Sequence, residues 1–246
     1  MRIALAAMPV IDRDIPHNVN VICHTVKALT GKADLILFGE STLQGFEAFT
    51  WDYDVDRQMA VPVDSPILDP IRRAAKDAGL TISFGYLEES GGLLYSSQLV
   101  IDETGATLHN FHRVSLGWKE PTADHHYVEG KHFSPFTYRG KTFAIGLCGD
   151  LWTPGRPEEM LALNPDIGLW PVYCDYPAEE WNTRIVQEYA EQAKLCGKNV
   201  LLVNPVCLSP NPEGAERASG GAVWFQDGQI LQKLPAGGEG VLLVEV

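Results

Sequence analysis

Short continuous apolar runs alternate along this chain with segments in which apolar residues return every three or four positions, the two periods of buried strand and amphipathic helix. Ile3 to Met8 predicts the first strand. After a turn from Asp12 to Pro16, residues Ile15, Val19, Ile22, Val26 and Leu29 fall at steps of four, three, four and three, the single stripe of a helix that Gly31 ends. Leu35 to Phe38 is a second buried strand, so the chain opens with a βαβ unit and parallel strands. Helix Pro66 to Ala78 leads into strand Thr81 to Tyr86, which pairs with Leu94 to Ile101 across Gly91-Gly92, and Asp102 to Gly105 turns the chain back through Thr107 to Phe111. Thr142 to Leu147, bounded by Gly140 and Gly149, reads as a strand covered on both faces, with a helix starting near Glu158. The second half continues with strand Ile167 to Val172, helix Ala178 to Gly197 carrying Trp181, Ile185, Tyr189, Ala193 and Cys196 on one stripe, and strand Val200 to Asn204. A surface loop from Ser209 to Arg217 precedes three closing strands, Ala222 to Phe225, Gln229 to Leu234 and Val241 to Val246, with Asp227-Gly228 as a hairpin turn.

Two stretches break this rhythm. Ser41 to Pro66 is irregular and holds Phe46, Phe49, Trp51 and Tyr53, and a long aromatic loop inside a compact fold is commonly a pocket wall. Arg113 to Gly130 has little periodicity but concentrates Trp118, Lys119, Glu120, His125, His126 and Glu129. No repeat, linker or low-complexity segment divides the chain, and residues 1–246 read as one α/β domain with a large mixed sheet system.

Composition narrows the partners. With 19 basic and 32 acidic residues the net charge is −13, which argues against nucleic acid and anionic membrane surfaces, both of which require a basic face. Five widely spaced cysteines, Cys23, Cys148, Cys174, Cys196 and Cys207, with no C-x-x-C pair, fit reduced thiols in the cytoplasm better than disulfides or a zinc site. Met1-Arg2 followed by Ile3 to Ile11 superficially resembles a secretion signal, but Asp12, Arg13 and Asp14 follow with no small-residue cleavage motif, so the segment is a strand. No apolar run reaches the length of a membrane span.

The candidate chemistry centres on Cys148, at the carboxyl end of its strand, where α/β sheets bind ligands. Strand, thiol, turn and helix in succession predict a sulfur near a helix amino end, with a lowered pKa. Glu40 ends its own strand after a glycine in the same way, and the basic cluster from Arg113 to Lys119 follows a third strand, so three useful groups are expected to converge. Gly140-Lys141-Thr142 is not a phosphate loop, because Pro135 stands where the upstream glycine belongs. His112, His125, His126 and His132 form a polar loop set rather than a metal site, since adjacent His125 and His126 need not converge. No Gly-x-Ser-x-Gly elbow is present. Cys174, just after the Leu169 to Val172 strand, is a candidate to lie near the site, with an inert buried thiol as the preferred reading.

Together Leu37-Phe38-Gly39-Glu40, Tyr95-Ser96-Ser97, Gly146 to Leu151, Trp181 to Asn204 and Gly220 to Gly228 resemble, in order and spacing, the nitrilase or carbon-nitrogen hydrolase superfamily. That resemblance implies a four-layer α-β-β-α sandwich that assembles into dimers or larger homo-oligomers, a Glu-Lys-Cys triad, and hydrolysis of a small amide or carbamoyl compound through a cysteine thioester, with no metal or organic cofactor. Where the family places tyrosine-arginine-lysine, this chain reads Phe111-His112-Arg113. Either Arg113 replaces the lysine or Lys119 reaches in from the loop; Lys119 is preferred because arginine is a poor proton donor. Glu120 is assigned to the family's second glutamate, with Asp124 and Glu129 as alternatives. Gly149-Asp150 after the cysteine is similar to amidases, whereas nitrilases carry tryptophan and glutamate there. Trp118, Trp152, Tyr173 and Phe46 are candidates to line the pocket. The altered lysine position also admits a catalytically silent binding or scaffold protein on the same fold.

Overall fold

A computed structural model describes residues 1–246. The chain begins with β1 (Arg2–Ala7) and the short β2 (Pro9–Val10), and then enters α1 (Ile15–Ala28). Asp14 caps α1 by accepting the His17 amide at 3.0 Å, and Pro16 occupies the first turn, where its missing N–H is harmless. Next come β3 (Leu35–Phe38), the one-turn α2 (Tyr53–Asp56), α3 (Asp69–Ala78) closed by Gly79 in the left-handed region, β4 (Thr81–Ser90), β5 (Leu93–Ile101) and β6 (Thr107–His112). The second half holds β7 (Phe136–Tyr138), β8 (Lys141–Ile145), α4 (Arg156–Ala162), β9 (Ile167–Pro171), α5 (Ala178–Glu180), α6 (Val186–Ala193) and β10 (Asn199–Val203). A π-helical turn, Trp181–Ile185, joins α5 to α6 in one continuous helix. The chain closes with β11 (Val206–Cys207), β12 (Ala222–Gln226), β13 (Gln229–Leu234) and β14 (Gly240–Glu245).

The strands form two six-stranded sheets, ordered β14-β1-β3-β4-β5-β6 and β13-β12-β10-β9-β8-β7, while β2 and β11 pair as a small ribbon. As the βαβ pattern requires, β1 and β3 are parallel, with Ile3 opposite Leu35. The three closing strands do not stay together. β12 and β13 extend one sheet, whereas β14 crosses to pair antiparallel with β1 of the other. α1 and α3 cover the outer face of the first sheet through Val19, Ile22, Val26, Ile71 and Ala75. Met160 of α4 and Ile185, Val186 and Tyr189 of the long helix cover the second sheet, and Leu5, Leu37, Phe143 and Leu169 belong to the same core between the sheets. The result is the four-layer α-β-β-α arrangement. No helix is long and apolar enough to cross a membrane.

The aromatic loop has a core of its own. Phe49, Trp118 and Tyr127 are buried with Leu87 and Leu94, and Trp51 packs on them. Asp56, fully buried, holds this cluster by accepting from the Thr50 and Trp51 amides, the Thr50 hydroxyl, the Tyr127 phenol at 2.8 Å and Arg13 at 3.2 Å. Removing the carboxylate strands several buried donors at once. Asp56→Ala is expected to lower the unfolding free energy by about 3 kcal/mol, read as a lower urea midpoint, and to leave Asp56→Asn in between.

Candidate active site

Strand direction brings the candidate residues together. β3, β6 and β8 all point their carboxyl ends to one side of the stacked sheets, and Glu40, Arg113 and Cys148 each follow one of them. Arg113 Nη1 donates to Glu40 Oε1 at 2.8 Å, and both residues are almost inaccessible, at 3% and 1%. Ser96 Oγ on β5 donates to the same carboxylate oxygen at 3.3 Å, and Arg113 Nε donates to Ser115 Oγ at 2.9 Å. Glu40 Oε2 has no protein partner although it is buried. The free oxygen belongs to a carboxyl close enough to Cys148 for the thiol to shift its titration.

Cys148 sits in an unusual turn. Its φ of 47° lies in the left-handed region, where a side chain is strained and which recurs at functional sites. Trp170 Nε1 on β9 holds the turn by donating to the Cys148 carbonyl at 2.9 Å, and the thiol donates to the Tyr173 carbonyl at 3.7 Å. A second clamp comes from Asp150, fully buried, which accepts the Val114 and Ser115 amides at 3.0 and 2.8 Å on one oxygen and the Leu147 amide at 2.9 Å on the other. One carboxyl thus ties the Arg113 segment to the Cys148 turn. Gly149 completes the fit, because a Cβ there would lie 2.4 Å from Arg113 Nη2. No side chain other than hydrogen allows the guanidinium this close.

Burial, and secondarily the Cys148 charge, pushes the Glu40 carboxyl up to about 8 against the pull of Arg113. Burial also raises Asp150, to about 6, again opposed by Arg113. For Arg113 burial opposes the charge, but Glu40, Cys148 and Asp150 overcome it and hold the guanidinium more firmly cationic than usual. The Cys148 thiol is raised well above its ordinary value, first by its hydrogen bond with Cys174 and then by burial. This corrects the expectation of a helix end that lowers it. Only a short 3-10 turn, Cys148–Trp152, follows the thiol, and α4 begins at Arg156.

The remaining sequence candidates lie elsewhere. Lys119, the preferred cation, donates from Nζ to the Tyr127 carbonyl and pairs with Glu129, each at 2.7 Å, beneath the aromatic loop core. Arg113 occupies the place beside Glu40 and Cys148. Glu120 is exposed, Asp124 pairs with His126, and Glu129 also accepts Trp118 Nε1, so none of the three acids touches Glu40, Arg113 or Cys148. Of the aromatics, Tyr173 adjoins the thiol through its backbone and stacks on Phe46 at 4.8 Å. Trp118 belongs to the loop core, and Trp152 is 43% exposed and packs edge-on against Tyr189. The ligand atoms of Asp124, His125 and His126 lie within 4.8 Å of one another on the exposed loop, a convergence that adjacency of the two histidines did not require. A groove of about 600 Å³ between α1 and α3 is lined by Cys23, Lys27 and Arg73, on the opposite side of the first sheet from Cys148. Sequence reasoning assigned no role to Asp150 or Ser96, and it placed Cys174 near the site only as the less favoured alternative. Only the Gly-Asp pair after Cys148 hinted at the first of these.

The carbon-nitrogen hydrolase family model matches residues 2–246. The chain belongs to the carbon-nitrogen hydrolase family. Among curated proteins, the chain is 33% identical over 90 residues to a bromoxynil-specific nitrilase of Klebsiella pneumoniae subsp. ozaenae, a match covering 33% of this chain and 26% of the relative. It is 22% identical over 167 residues to an (R)-stereoselective amidase of Pseudomonas sp., covering 68% of this chain and 58% of the relative. The matches therefore span less than two thirds of those relatives. In structure it is similar to an amidase from Nesterenkonia sp. AN1 bearing acrylamide added at its active-site cysteine, with a TM-score of 0.78, 20% identity, and coverage of 100% of this chain and 93% of that one. The shared feature is the α-β-β-α fold.

Asp150→Asn tests the clamp between the two segments. An amide in place of the carboxyl turns an NH2 group toward a backbone N–H, and the variant is expected to lose about 2–3 kcal/mol of stability in urea denaturation.

Proposed function

We propose that this protein hydrolyses the carbon-nitrogen bond of a small amide or carbamoyl compound, with Cys148 as nucleophile, Glu40 as general base and acid, and Arg113 as the fixed cation. The observation that carries this reading is the convergence of the three side chains in a buried site where one oxygen of Glu40 is unpaired. A buried, unpartnered acceptor next to a thiol is costly unless it has a use. In the proposed reaction Glu40 Oε2 takes the thiol proton as sulfur attacks the carbonyl carbon. Arg113, with Nη2 turned toward Gly149, and the Gly149 amide stabilise the oxyanion. Arg113 cannot release a proton. The proton that reaches the leaving amine therefore returns from Glu40, and the same carboxylate activates the water that cleaves the thioester.

The substrate assignment rests on position 149. Tryptophan follows the cysteine in the nitrilases that the sequence resembles, and here a residue larger than glycine meets the Arg113 guanidinium. An amide is therefore favoured over a nitrile. A Glu-Arg-Cys set replaces the expected Glu-Lys-Cys triad in this reading, and cytoplasmic homo-oligomers belong to it as well. The competing reading, a catalytically silent binding or scaffold protein, draws support from the protonated state in which Cys174 and burial hold the Cys148 thiol. Glu40 answers that objection, because a base in contact with the thiol removes its proton in step with attack.

Ammonia release from a panel of small amides and carbamoyl compounds distinguishes the two. Activity is expected on some of them, abolished in Cys148→Ala and reduced about 10³-fold in Arg113→Ala, while Lys119→Ala stays within about threefold because it acts only on the loop. No turnover in a folded protein across the panel favours the silent reading. The pH profile is a separate check. Below about 8 Glu40 is protonated and cannot accept a proton, so kcat/KM is expected to rise with pH and level off above a limb near that value. Glu40→Gln should remove the limb and about 10²–10⁴-fold of the rate.

A further inference from the structure

Cys174 was expected to be an inert core thiol, and its surroundings are not those of one. β8 and β9 are parallel neighbours, with Ile145 opposite Leu169, so Cys148 and Cys174 leave adjacent strand ends a few residues beyond that pair. Cys148 Sγ touches the carbonyl of Tyr173, the residue before Cys174, at 3.7 Å, so the two cysteines are neighbours at the strand ends, and Cys174 helps keep the Cys148 thiol protonated. Asn204 fixes the Cys174 backbone from both sides, its Oδ1 accepting the Cys174 amide and its Nδ2 donating to the Cys174 carbonyl, each at 2.9 Å. Cys174 Sγ also meets the Tyr189 phenol at 2.9 Å. That phenol, kept neutral by burial, is a donor ready for a sulfur that ionises. Cys148 is partly exposed while Cys174 is 6% exposed, so a small oxidant reaches one sulfur and the other waits behind it. No other pair of the five cysteines is placed this way. Cys196 bonds the Gln192 carbonyl, Cys207 bonds Asp12, and Cys23 lies on α1.

We propose that Cys148 and Cys174 form a reversible intramolecular disulfide, with Cys174 as the resolving thiol that shields the nucleophile from irreversible oxidation. The oxidant is a peroxide. The Cys148 sulfur attacks one oxygen of hydrogen peroxide, the O–O bond breaks, and sulfenic acid and one water form once the thiol proton has moved to the departing oxygen. Cys174 then attacks the sulfenic sulfur. The S–S bond forms as the S–O bond breaks, and the hydroxyl leaves as a second water with the Cys174 proton. Two thiols are oxidised and one peroxide is reduced to two waters, and a dithiol such as dithiothreitol reverses the change by being oxidised itself. Without a resolving thiol, sulfenic acid proceeds to the sulfinic state, which ordinary thiols do not reduce.

The test is unreduced peptide mapping of the whole protein after a small molar excess of hydrogen peroxide. Mass is the readout, so the result does not depend on whether the protein hydrolyses amides. The expected product is a Cys148–Cys174 cross-linked peptide lighter by two hydrogens, together with loss of iodoacetamide labelling at Cys148 that dithiothreitol restores. In Cys174→Ser the irreversible sulfinic fraction at Cys148 is expected to rise about tenfold, whereas Cys196→Ser and Cys207→Ser behave as wild type. Direct sulfinic acid at Cys148 of the wild-type protein with no cross-linked peptide overturns the proposal, as does a cross-link to another cysteine. Recovery of Cys174→Ser by dithiothreitol as complete as that of wild type does the same. The wild-type cross-link is decisive by itself if the serine variant does not fold.

Discussion

Arg113 and Glu40 meet 2.8 Å apart where solvent reaches neither, and much of the surrounding structure serves to make that contact tolerable. Removing two charges from water costs several kcal/mol per ion before relaxation, and mutual attraction offsets it only when the remaining donors and acceptors are also satisfied. Ser96 and Ser115 supply part of that satisfaction and the glycine at position 149 the necessary space, while Glu40 Oε2 is left without a partner. Asp150 holds the two backbone segments in register by accepting three amides from both of them. Loss of any of these leaves a buried charge or donor without a partner, which is why their geometry is coupled.

The consequence for chemistry is a division of labour. Arginine keeps its charge at any accessible pH, so the mobile proton is left to Glu40 and Cys148. Such a pair titrates as a unit, and both groups are held toward their protonated forms, Glu40 chiefly by burial and Cys148 by Cys174 and then burial. A family lysine would add a second proton carrier to the site. This chain instead combines a fixed cation with a carboxyl whose second oxygen is free. The Cys174 contact, and after it burial, keeps the Cys148 thiol protonated, so the proposed nucleophile and the proposed disulfide would draw on the same neighbour.

Positioning depends on the stacking of two sheets whose strands end on one side. β3 lies over β9, and the Glu40 amide donates to the Val172 carbonyl at 3.2 Å, joining the carboxyl of one sheet to the strand end of the other. The loops that enclose the region are tied down by their own aromatic core and by Asp56, and Lys119 is used there, as a strut between Tyr127 and Glu129, rather than beside the thiol.

By itself the sequence determined most of the elements, because a buried strand and an amphipathic helix each leave a local period that needs no tertiary information. It placed Glu40 and Cys148 at strand ends for the same reason, since a glycine beside a chemically useful residue after an apolar run is a local signal. Only the tertiary structure decided which cation joins them. Arg113 and Lys119 lie in one irregular stretch without a period, and the choice depends on Asp150, a residue of another strand's turn, pulling the Val114 and Ser115 amides toward Cys148. The same holds for the closing strands. β12, β13 and β14 look alike in sequence, yet β14 pairs with β1 in the opposite sheet, a partner fixed by which edge is open and not by any residue within the strand. Cys174 carries no local mark of its contact with Cys148, because the register of β8 against β9 creates it.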